Sequence, residues 1–93
     1  MMRSKKDVVS LTRDLVGISH IVQKICTLVE QDADPAKILF QTRRVHKALQ
    51  SVQHALIESE NDLCVKEVVQ LKSVPSKLAR LDAHLALLSR YGR

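Results

Sequence analysis

An all-α fold follows from three observations. The 93 residues hold two glycines, two prolines, one tyrosine, one phenylalanine and no tryptophan, too few turn residues and strand-favouring aromatics for a sandwich or a barrel. Leu, Val, Ile, Ala, Lys, Gln and Glu dominate, and most of them suit helices. Apolar residues recur at three- and four-residue steps, the spacing of one helical face. This length predicts a single helical domain over 1–93 with a modest core of its own. With so few aromatics, association is the easiest route to further burial, so a homo-oligomer is expected.

The first helix is expected from about residue 5 to 31. Val8, Leu11, Leu15, Ile18, Val22, Ile25 and Val29 alternate steps of three and four, a coiled-coil-like seam. Ser4 is placed to cap it, with Asp7 three residues on as a short-armed capping box. "QDADP" breaks the helix, Asp34 serving as N-cap and Pro35 as the first-turn residue of the next helix. The second helix is expected over 35–71, because nothing from Pro35 to Leu71 interrupts it. Ile38, Val45 and Val52 share one heptad position and Leu49 and Leu56 another, with Leu39 and Leu63 widening the stripe. Some 37 residues would extend roughly 55 Å, beyond the reach of one partner helix, so part of this helix should pack on another subunit. "KSVPS" is the second break, with Ser73 as cap and Pro75 in the first turn. The third helix is expected over 75–91, with Leu78, Leu81, Leu85 and Leu88 as its seam and Gly92 able to end it.

The net charge of +5 and a pI near 9.6 suit an anionic partner, nucleic acid first, and equally a basic domain with no such role. Two cysteines without an N-terminal apolar run predict a cytoplasmic chain with reduced thiols and no signal peptide. No apolar stretch approaches membrane-spanning length. Catalysis is poorly served, since the chain has no Gly-rich phosphate loop, no nucleophile elbow and no His-Glu-x-x-His. His20, His46, His54 and His84 are scattered over all three helices, and an enzyme is not expected.

Two constellations remain. Cys64 is the best metal donor, since thiolate binds soft and borderline ions, and Glu60 lies one turn before it on the same face. His54 is ten residues away, roughly 15 Å along a helix, and cannot join Cys64 within one chain. Cys26 is expected to pack as a small apolar residue. Arg3, Lys5, Lys6 and Arg13 cluster at the start of the first helix, and Arg43, Arg44 and Lys47 make a basic face on the second. Such rows match phosphates without reading sequence, and a solvated face is the competing interpretation.

The stretch "ILFQTRRVHKALQSVQHALIESENDLCV" adds a further pattern. Ile38, Leu39, Gln41, Val45, Ala48, Leu49, Val52, Leu56, Glu58, Cys64 and Val65 stand, without a gap, at the spacings of helix two in the CsoR/RcnR-type metal-sensing repressors, a family that also includes formaldehyde and persulfide sensors. A heptad seam does not demand Gln41, Glu58 or Cys64, so these carry the specificity of the resemblance. Arg13 and Gly17 are similar to the family's Arg-x-x-x-Gly-Gln in helix one, with Ile18 in place of the Gln. The resemblance implies a three-helix subunit with a long second helix, an antiparallel four-helix-bundle dimer, and a dimer of dimers as the homotetramer. It also implies binding to double-stranded operator DNA without a helix-turn-helix, relieved by an effector held between subunits.

The family's ligand positions fall on Pro35, Glu60 and Cys64. Pro35 has no donor atom, and a hard carboxylate at 60 suits a soft monovalent ion poorly. What carries over is a non-standard site of Cys64 with Glu60, for a copper, nickel, cobalt or zinc ion or for no ion at all, with Cys64 as a thiol sensor in the latter case. For DNA the expected residues are Arg13, Arg43, Arg44 and Lys47. The rival reading is a helical oligomeric interaction module without metal or DNA.

Overall fold

The computed structural model describes residues 4–92. Among them are three helices and no strand: α1 (Lys5–Glu30), α2 (Pro35–Gln70) and α3 (Val74–Tyr91). Arg3, expected in the basic cluster, lies outside the described residues.

Local chemistry explains the breaks. After α1, the amide of Ala33 donates to Leu28 O at 2.9 Å and that of Asp32 to Val29 O at 3.1 Å, the paired bonds of a Schellman ending. That motif requires one left-handed residue, and Asp32 takes the role at φ 52°. The α2 start follows at once, with Asp34 Oδ1 accepting from the Ala36 amide at 3.0 Å and Pro35 at the first position. α3 is capped by Ser73, whose hydroxyl accepts from the Ser76 amide at 3.2 Å. It closes at Gly92, whose amide donates to Leu88 O at 2.8 Å. Gly92 serves there by close approach rather than by a left-handed turn: its φ is −82°, and a Cβ would stand 2.6 Å from Leu88 O.

The chain divides into two compact units, Lys5–Gln53 and the segment from His54 onward, with α2 contributing to each. In Lys5–Gln53, α1 and the first part of α2 return on one another. The residues shielded on α1 are Leu11, Ile18, Ile21, Ile25 and Leu28, and on α2 Ile38, Gln41, Val45, Ala48 and Val52. The α2 set steps by three and four, as does the α1 set after one seven-residue step from Leu11 to Ile18, so this is a heptad-like seam. It differs from the seam expected on α1, because Val8, Leu15, Val22 and Val29 stay exposed. Those four recur every seven residues and form a stripe flanking the seam that one partner helix leaves uncovered.

In the segment from His54 onward, α3 runs back along the end of α2. Two cross-helix bonds set the register, Arg80 Nε to Glu67 Oε2 at 2.5 Å and His84 Nε2 with Asn61 Oδ1 at 2.6 Å. The side of α3 turned to α2 carries Lys77, Arg80, His84 and Leu88. The leucine stripe expected to pack, Leu78, Leu81 and Leu85, is exposed, as are Val65 and Val69 on α2. The inner face of α3 is therefore largely polar and its apolar face points outward, the reverse of the usual amphipathic arrangement, while α2 still turns Leu63 and Cys64 inward.

Candidate functional site

The basic residues come first. Arg13 of α1 and Arg44 of α2 line one concavity together with Asp14, Gly17, Ala48 and Ser51. Arg13 also borders a neighbouring hollow with Lys5, Lys6 and Ser10. Residues 13 and 44 are far apart in sequence, and the α1–α2 return brings their guanidinium-bearing chains to one surface. Arg44 is held in part by its bond to Gln41 Oε1 at 3.1 Å. Gln41 is itself buried, so a seam residue anchors a surface cation. Arg43 and Lys47 are exposed on α2 one turn apart. Lys5, Lys6, Arg13 and Arg44 thus border two hollows that share Arg13, and cations grouped in this way suit contacts to phosphate.

The second site centres on Cys64, only 2% exposed and the most buried residue of the core. It occupies the turn of α2 between the two residues that bond to α3, Asn61 and Glu67. Arg80 is within electrostatic reach of both Cys64 and Glu60. The hydrogen bond from Arg80 holds the Glu67 carboxyl below its usual range, and burial opposes that shift. The same bond holds the Arg80 guanidinium above its ordinary value. Glu60 is half-buried on the face it shares with Cys64. Glu58, one of the residues that carry the family resemblance, is exposed and pairs with His54 Nε2 at 3.0 Å.

His84 is a residue that sequence reasoning leaves out of the ligand set. Only 8% of it is exposed, its Nε2 is engaged with Asn61, and its buried Nδ1 has no hydrogen-bond partner. In the sequence it sits beside the leucine stripe of α3, with nothing to show that this side, rather than the leucines, would face α2. Cys26, expected to pack, is exposed. It follows the shielded Ile25 by one residue, and the helical rotation carries it off the seam.

A family model, described as metal-sensitive transcriptional repressor, matches residues 10–90. The chain belongs to that family. The match runs through all three helices, so the wider fold and the Cys64 region are both within it. No curated protein and no solved structure gives a significant match. The metal-sensitive repressor family consists of transcriptional regulators and is not an enzyme class. Among the described residues no helix is long and apolar enough to cross a membrane.

Membership implies a metal, and the donors around Cys64 can be tested for it. Among the described residues no three or more His, Cys, Asp or Glu side chains converge on one point suited to an ion. Cys64 with Glu60 therefore makes at most part of a site. Soft and borderline ions favour sulfur over a carboxylate, so Cys64 is the stronger donor of the two.

Proposed function

We propose that this chain is a DNA-binding transcriptional repressor of the CsoR/RcnR type, released from operator DNA by a metal or thiol-reactive effector acting at Cys64. The observation that carries the reading is the family match over 10–90, joined to a surface on which Arg13 and Arg44 meet. Arg13, Arg43, Arg44 and Lys47 contact backbone phosphates of the operator, giving affinity from charge and leaving base readout to DNA shape or other contacts. Cys64 is the reactive or ligating atom, with Glu60 as its nearest carboxylate on the same helical face.

The working species is a homodimer or homotetramer. The support is the exposed apolar stripe on α1, Val8, Leu15, Val22 and Val29, and the exposed leucines of α3. Burying a side chain of this type yields about 1.5–3 kcal/mol, so a second copy covering either stripe would gain substantially. The 93 residues act as one domain in the cytoplasm, where reduced thiols keep Cys64 available.

A mobility-shift titration with the DNA upstream of the chain's own operon, at low salt, tests the reading. Retardation that weakens steeply as salt rises is expected. No binding at low salt would leave the interaction module as the better account.

A further inference from the structure

Gln41 is a residue that a heptad seam does not demand, and its two ends have different surroundings. Only 8% of it is exposed. A guanidinium only donates hydrogen bonds, so the Arg44 contact at 3.1 Å fixes the amide oxygen on that side. The amide NH2 is left as a spare donor, without a partner among the described residues. Gln41 also lines a hollow of about 340 Å³ that Arg44 does not line, between the last turns of α1 and the first turns of α2.

The hollow is built from two consecutive turns of each helix. Lys24 and Leu28 come from α1, and Ala36, Lys37, Phe40 and Gln41 from α2, all within the unit Lys5–Gln53. The lining is mostly apolar, and Phe40, the one phenylalanine of the chain, is 62% exposed. The side chains offer two ammonium groups and the spare amide NH2, with no acid in the lining. Neither lysine forms an ion pair among the described residues. All three groups donate, and none accepts.

We propose that this hollow binds a small monocarboxylate with an aromatic body. Lys24 and Lys37 meet its charge, the Gln41 NH2 donates to a carboxylate oxygen, and the ring lies against Phe40 and Leu28. A polar set made only of donors selects a group that only accepts, and an ionised carboxylate is such a group. The apolar lining selects against phosphate, whose hydration would be stripped with little to replace it. An exposed ring wall favours an aromatic body, because paired rings gain beyond the area they bury. The volume lies at the lower end of ligand pockets, roughly 300–1,000 Å³, which suits a molecule of one ring. The hollow shares no lining residue with Cys64 or with the cations assigned to DNA, so it stands independently of the repressor reading.

The test is a titration of the full-length, isotope-labelled protein with sodium benzoate, followed by amide chemical shifts and by calorimetry. Saturable binding of one benzoate per chain is expected, with shift changes concentrated on 24–28 and 36–41. Lys24→Ala with Lys37→Ala weakens it about tenfold, and Phe40→Ala about three- to tenfold. Gln41→Glu keeps an oxygen for Arg44 but loses the donor, and weakens binding by about tenfold or more. Lys66→Ala, outside the hollow, leaves affinity unchanged. Acetate and inorganic phosphate carry charge without a ring, and benzyl alcohol a ring without charge; each binds at least about tenfold more weakly than benzoate. No binding by wild type, shifts centred elsewhere, or acetate or phosphate bound as tightly as benzoate overturns the proposal. Full affinity in Gln41→Glu or in the double lysine variant does so too. The wild-type shift map needs no variant, so misfolding of a Gln41 variant cannot shield the idea.

Discussion

Asp32 shows how much one residue can carry. It is the left-handed residue of the α1 ending, a conformation that costs an ordinary L-residue roughly 1–2 kcal/mol, less for Asp or Asn and nothing for Gly. Asp32→Val is expected to destabilise the protein by about 1–2 kcal/mol, and Asp32→Gly to leave stability equal or higher, both read by thermal unfolding. The sequence marks "QDADP" as a break through Asp34 and Pro35. It does not single out Asp32, because Asp also suits caps and ordinary turns. His84 is the corresponding case at the site. Its value depends on Asn61, 23 residues earlier, and no local pattern links the two.

At the scale of elements, the caps were legible and the faces were not. Asp34, Pro35 and Ser73 act on amides within a turn of themselves, so their roles follow from composition and order. The heptad seam of α1 was half legible. Leu11, Ile18 and Ile25 are shielded, while Leu15 and Val22 are exposed and Ile21 and Leu28 take the inner positions. α3 is the stronger case, being docked through Arg80–Glu67 and His84–Asn61 rather than through its leucines. That docking should respond to acid. Because the Glu67 carboxyl is held below its ordinary value, its contribution is present in full above the unfolded pKa, about 4.3, and is lost as pH falls through the lowered folded value. Amide exchange along α3 should therefore accelerate as pH drops below about 4, after correction for intrinsic rates. In Glu67→Gln, α3 should be less protected at neutral pH and should show little of this acid response. Equal protection in the variant and wild type at pH 7 would mean the ion pair does not hold α3.

For the whole molecule, assembly and charge are the quantities to measure. If the α1 stripe is an intersubunit face, Leu15→Glu with Val22→Glu should shift the oligomer toward monomer in sedimentation velocity, since each buried carboxylate would need a partner it lacks. An unchanged sedimentation coefficient would place the interface elsewhere. The net charge of +5 predicts salt-sensitive DNA binding. Arg13→Ala, or Arg43→Ala with Arg44→Ala, should weaken operator affinity across sequences. Either change should also flatten the salt dependence by roughly one unit of slope for each phosphate left without its cation. A variant that binds more weakly at unchanged slope would remove these residues from the phosphate-binding surface. Unfolding in a single transition would support one 93-residue domain, and two transitions would separate the two compact units.

The sequence by itself determined that the chain is helical, where its breaks fall, and, through Gln41, Glu58 and Cys64 at their spacings, which family it resembles. These depend on interactions within one or two turns and on residue identity at set intervals, which order along the chain preserves. Only the tertiary structure decided which side of each helix turns inward. It brought Arg13 and Arg44 to one concavity, docked Arg80 on Glu67, and left His84 Nδ1 buried without a partner. A helix with apolar residues on two flanks can bury either one, and the choice is made by segments distant in sequence. The fold was therefore readable from short-range order, whereas the choice of inward faces was not.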